Sequence, residues 1–91
     1  MEFIDTHAHI YLPEFNPDLP AIIKRAQDAM VASIVMPAID SSTHAAMIEM
    51  ELAHQNCFSM MGLHPCSVNQ DYEKELTIVE EHLGKRKFIA I

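Results

Sequence analysis

The stretch Ser33-Ile34-Val35-Met36-Pro37 decides how the rest of the chain is read. Its apolar residues run on without alternation, and Pro37 stops them. A strand with one wetted face alternates apolar and polar side chains. A strand covered on both faces does not, and such strands belong to parallel sheets. Residues 33–37 therefore predict a buried parallel strand, and parallel neighbours need helical crossovers on either side.

Both flanks supply them. Upstream, Leu19, Ile22, Ile23, Ala26 and Met30 recur at helical spacing, behind Asp18 as a cap and Pro20 in the first turn. Before that helix, Phe3-Ile4 opens a short strand that leads into Asp5-Thr6-His7. Downstream, Asp40-Ser41-Ser42 starts a second helix with Ala46, Met50 and Ala53 on one face. Cys57 to Met61 reads as a third strand, and Tyr72, Leu76, Val79 and Leu83 mark one face of a third helix. Glu81 and Lys85 support that helix as an i,i+4 pair, and Gly84 is its natural stop. Phe88-Ile89-Ala90-Ile91 then opens a fourth strand. The order is βαβαβαβ, an α/β arrangement forming one partial domain over residues 1–91. Periodicity leaves two architectures open: half of a (β/α)8 barrel, or an open doubly wound sheet.

Composition narrows the function. At 91 residues, 49% apolar, with two Gly and five Pro, the chain is a single globular unit. A net charge of -7 excludes a broad grip on nucleic acid by counterion release. It does not exclude a nuclease whose bound metal meets the phosphate. Half of the six basic residues are Lys85, Arg86 and Lys87, which read as a solvated helix end on the amino-terminal rim. Cys57 and Cys66 form neither a Cys-x-x-Cys pair nor a disulfide framework, so reduced thiols and a cytoplasmic location are expected. Met1-Glu2 and the early Asp5 lack the basic start of a signal peptide. The longest apolar run, residues 30–39, is too short to span a bilayer, and no membrane partner is expected.

The chemistry gathers on histidines. Asp5, His7 and His9 share a parity, so a strand continuing through them would line one face with all three. Two imidazoles on that face can approach one divalent ion, and a nearby carboxylate can orient a ring through its other N–H. His-x-His alone is a weak signal, but its position strengthens it. The pair stands at the carboxyl end of the first strand, and His64, followed by Pro65, stands at the end of the third. In a parallel sheet these ends share one rim, where βα folds place their sites. His44, His54 and His82 read as helix residues, the last two suited to helix carboxyl ends. Asp40 reads as a cap and the seven methionines as core filler. Cys66 lies near His64 but lacks the third, orienting group of a thiol nucleophile.

These motifs together resemble a family. The segment FIDTHAHIYLPEF, residues 3–15, resembles the first strand and loop of the TatD-like metal-dependent deoxyribonucleases of the amidohydrolase superfamily. IVMPAID, residues 34–40, is similar to their second strand, and GLHP, residues 62–65, to the motif ending their third. KFIAI, residues 87–91, resembles the strand that in the family runs into Gly-Glu-x-Gly-Leu-Asp. The resemblance spans this chain and the first third of a barrel of ~250 residues. It implies the amino-terminal part of a (β/α)8 TIM-type barrel, with one or two divalent ions (Zn, Mg or Mn) at the carboxyl rim. DNA is the implied substrate of the complete enzyme, hydrolysed by metal-activated water. By the same resemblance His7 and His9 are metal ligands, His64 binds the substrate phosphate, and Asp5 supports the ligands from behind.

The family's glutamate after the fourth strand, two later histidines and a late aspartate have no counterpart in these residues. No catalytic base is therefore expected within this chain, which alone should bind metal weakly and cleave no DNA. Its open edges predict self-association, or docking of the remainder of a barrel. One local departure stands out. Family members carry Gly at the end of the first helix, where this chain has Ala29-Met30, which predicts a strained or remade turn. The competing readings are another esterase or amidase of the same superfamily, and a non-catalytic truncated barrel serving as an interaction module.

Overall fold

A computed structural model describes residues 1–91. Strands β1 (Phe3–Asp5), β2 (Val31–Pro37) and β3 (Cys57–Met60) form a parallel sheet in the order β1-β2-β3. Helix α1 (Leu19–Asp28) connects the first pair, α2 (His44–Ala53) the second, and α3 (Tyr72–Lys85) follows β3. The expected alternation is present, and all strand carboxyl ends lie at one rim.

The middle strand organises the packing. Ile34, Val35, Met36 and Pro37 are all buried, as the unbroken apolar run predicted. Met36, Met47 and Met61 are fully enclosed and Met50 nearly so, which makes four of the methionines core filler. Helix α2 presents His44, Met47 and Met50 to that core, so its buried face is turned away from the predicted Ala53. Helix α3 carries acidic Glu73 and Glu75 in its first turn and His82 and Lys85 in its last, complementing the helix dipole. It buries only Val79 of the four predicted positions; Tyr72, Leu76 and Leu83 remain substantially exposed. No helix is long and apolar enough to cross a membrane.

The fourth strand shrinks to one bridge, Met60 to Ala90, supported by Ile89 N–H to the Ser59 carbonyl at 3.0 Å and Met61 N–H to the Ala90 carbonyl at 3.2 Å. The Ser59 amide on this same edge is taken by the Glu51 carboxylate at 2.9 Å. Glu51 also pairs with Arg86, whose guanidinium lies 4.5 Å over the Phe88 ring. A side-chain carboxylate thus occupies a donor that a longer ladder would use. Arg86 is a latch on the sheet edge rather than part of a solvated helix end, which corrects the reading of the basic trio.

The turn after α1 is kept, and held under strain. Met30 adopts φ 66°, the left-handed region that disfavours a residue with a β-carbon. Its N–H reaches the Gln27 carbonyl at 3.0 Å, and its own carbonyl receives Phe3 N–H at 2.8 Å, joining the turn to β1. Asp18 stands at the N-cap of α1 without a side-chain capping bond, while Pro20 sits in the first turn as predicted.

Candidate metal centre

The histidine motif lies beyond the strand that leads to it. β1 stops at Asp5, so His7 and His9 belong to the loop at its carboxyl end. Ala8 N–H donates to the Val35 carbonyl at 3.1 Å, which keeps that loop alongside β2. Asp5 accepts the His7 main-chain N–H at 3.1 Å. A tethered loop, not a continuing strand, therefore brings the rings together, and Asp5 supports the His7 backbone rather than either ring. The two Nε2 atoms face each other at 3.2 Å. His64 joins them from the loop that follows β3, its ring centroid 6.4 Å from His7 and 5.9 Å from His9. One nitrogen or other ligand atom from each of the three residues lies within 4.8 Å of the others. The loop bearing His64 is pinned by its own N–H to the Ile39 carbonyl at 2.8 Å.

Local hydrogen bonds give two of these rings opposite proton positions. His64 Nδ1 accepts the Cys66 main-chain N–H at 3.1 Å, so it is bare, and a neutral ring then carries its proton on Nε2. His9 Nδ1 lies 3.0 Å from the Tyr11 hydroxyl, which donates to the Pro37 carbonyl at 2.6 Å. That hydroxyl has one proton, and the carbonyl has none to give. His9 Nδ1 must therefore donate, leaving Nε2 as a lone pair aimed at His7.

The electrostatics agree with a neutral His9. Burial lowers its pKa from the ordinary 6.5, His7 and His64 lower it further, and the Pro37 carbonyl partly opposes them. The Tyr11 hydroxyl keeps its proton: burial pushes its pKa up to about 12, with the nearby Thr43 hydroxyl opposing and the Asp40 charge adding. Tyr11 was not singled out from the sequence, although it continues the parity of His7 and His9 with an aromatic ring that carries a polar tip.

The remaining sequence candidates separate from this rim. His44 is buried, stacks edge-on against His82 at 5.0 Å, and has no hydrogen-bond partner at either nitrogen. The Gly62 carbonyl faces it and favours its charged form, without the geometry of a hydrogen bond; burial outweighs this and lowers its pKa. His54 is the residue that closes α2. Asp40 does not cap α2, whose N-cap is Thr43; it closes a turn by accepting from the Ser42 N–H at 3.0 Å. Cys66 meets His64 through its amide rather than its thiol. A cavity of about 330 Å3 opens beside the histidines, bounded by His7, His64, Pro37, Met60 and Ile91. A larger one of about 510 Å3 lies at the opposite rim by Gln27, Met30 and Gln55, so size alone does not mark the site.

The donor set fits a divalent transition ion. Metal–imidazole bonds of about 2.0–2.1 Å in a tetrahedron separate neighbouring nitrogens by roughly 3.3 Å, and the His7–His9 spacing is 3.2 Å. Comparison with known proteins agrees in kind. The chain is 31% identical to the protein described as uncharacterized metal-dependent hydrolase YjjV of Escherichia coli K12, matching 98% of this chain and 35% of that protein. It is 30% identical to uncharacterized metal-dependent hydrolase YabD of Bacillus subtilis 168, matching 96% of this chain and 34% of YabD. The crystal structure of YjjV, a TatD homologue, superposes with a TM-score of 0.80 and 30% identity over 92% of this chain and 32% of that one. These βα units thus correspond to the amino-terminal part of its barrel, and the chain spans about a third of the length of these relatives. The profile of the family described as TatD related DNase matches residues 4–91, and this chain belongs to that family.

Proposed function

We propose that this chain provides the first-strand side of a divalent-metal centre that hydrolyses DNA phosphodiesters. His7 and His9 hold the ion through Nε2, and the observation that carries this reading is the 3.2 Å approach of those two atoms. A divalent ion held there supplies Lewis-acid chemistry, polarising a phosphoryl oxygen and acidifying a water. His64 has a different part. Its bare nitrogen is engaged by the Cys66 amide, so it offers an N–H to an anionic substrate oxygen instead of a third lone pair. Asp5 holds the loop by the His7 amide. No carboxylate of the chain makes a hydrogen bond to the three rings; by the family resemblance, the base that takes a proton from water is a late aspartate outside these residues. Two imidazole ligands then give the isolated chain weak metal affinity and no measurable nuclease activity.

Phe3, Ile4, Ile89 and Ile91 are each more than half exposed at the sheet's two edges. They support a further part of the reading: the rest of a barrel covers these edges in a longer protein, and a second copy covers them when the chain stands alone. Light scattering of the 91-residue chain should give a mass above the monomer; a monodisperse monomer with a cooperative melt would count against it. The catalytic reading is tested in a protein that continues this segment through a full barrel. Cleavage of DNA, lost in His7→Ala and His9→Ala, is the expected result. Turnover of small esters or amides without DNA cleavage would replace the nuclease by another hydrolase, and neither activity would leave an interaction module.

A further inference from the structure

The rim contains a buried tyrosine that meets one of the three histidines from behind. Tyr11 is 3% exposed, and its hydroxyl sits between His9 Nδ1 at 3.0 Å and the Pro37 carbonyl at 2.6 Å. Pro37 ends the central strand, the best-packed element of the molecule, so the carbonyl is a fixed anchor. It can only accept, which directs the single phenolic proton toward it. The phenolic oxygen is then left as an acceptor, and the only ring nitrogen within reach must donate to it.

We propose that Tyr11 is a positioning residue for the metal centre: anchored on the Pro37 carbonyl, it holds His9 in the Nδ1–H form and so presents Nε2 as a lone pair toward the ion. The proposal rests on the reading of His9 as a ligand, but it makes a claim about the metal-free chain as well. An isolated histidine in water favours the other neutral form, with the proton on Nε2, where it would block coordination. His64 is the internal contrast. It occupies the same rim, and the Cys66 amide imposes on it the proton position opposite to that of His9. A preset tautomer also fixes the ring's orientation, and loss of such an outer partner lowers metal affinity by roughly 10–100-fold.

Nitrogen-15 NMR of the metal-free 91-residue chain reads the proton position on each ring directly. The expected result is an N–H-type Nδ1 and a bare-type Nε2 for His9, with the reverse for His64. A His9 ring with its proton on Nε2 overturns the proposal with no variant needed. Tyr11→Phe keeps the aromatic packing and removes only the hydroxyl. In it His9 should shift toward the Nε2–H form while His64 stays unchanged, and Zn2+ affinity measured by competition with a chelating dye should fall roughly 10–100-fold. A variant that lowers the melting temperature but leaves the His9 tautomer in place reduces Tyr11 to packing and overturns the proposal. His9→Ala separates the two claims: if it binds Zn2+ as well as the parent chain, the ligand reading fails, whatever the tautomer shows.

Discussion

β1 and β2 lie side by side in one sheet and have opposite surroundings. All three residues of β1 are exposed, whereas the last four of β2 are buried. The edge strand leads into the histidine rim, and the central strand anchors it: Ala8 and Tyr11 of the β1 loop both bond to carbonyls of β2, at Val35 and Pro37. The comparison separates two duties. β2 holds the fold together by apolar burial, while the β1 loop bears His7 and His9 and borrows its rigidity through hydrogen bonds.

Substitutions should divide along that line. The largest stability effect is expected in β2, where Met36→Ala empties a fully enclosed position and should cost about 2–5 kcal/mol in chemical denaturation. The counterpart in the β1 loop is His7→Ala, whose ring is exposed and unburdened by packing. Its stability should stay within about 0.5 kcal/mol of the parent, while Zn2+ affinity falls at least tenfold. A large loss of stability there would erase the division between the two strands.

Smaller effects sharpen it. Met30 joins α1 to the sheet in a left-handed conformation, and Met30→Gly should raise stability by about 1 kcal/mol, since glycine carries no β-carbon into that region. An unchanged or lower denaturation midpoint would mean that the contacts of the half-exposed Met30 side chain offset the strain. The smallest effect concerns pH. His44 faces His82, Glu75, Asp40 and the Gly62 carbonyl, and burial holds its pKa below 6.5 in the fold. The unfolded chain therefore takes up this proton more readily than the folded one. Stability should be full above pH 6.5 and decline as the pH falls through that value toward the lower folded one. His44→Phe should flatten the melting temperature between pH 7 and pH 5, and a slope as steep as the parent's would assign it to other groups.

Much of the fold was legible because parallel α/β architecture writes itself in local patterns. The unbroken apolar run of residues 34–36 is buried in β2, and the helical spacings mark α1 to α3. Elements failed where a competing partner acted from far away in the chain. The fourth strand shortens where Glu51 and Arg86, 35 residues apart, meet at the edge of β3. The site was partly legible in the same way. His7, His9 and His64 share a rim because strand polarity requires it, but the parity of a continuing strand was the wrong cause, since β1 ends at Asp5.

The order of elements, the membership of the rim and the family motifs all follow from residue type and spacing along the chain. Proton positions do not. Whether an imidazole offers a lone pair or an N–H depends on what touches its other nitrogen, and for His9 that partner is anchored on Pro37, 28 positions away, through Tyr11. Linear sequence specifies which rings can reach an ion; only the packed structure decides which nitrogen each ring has free, because a hydrogen bond is a matter of distance and direction in space.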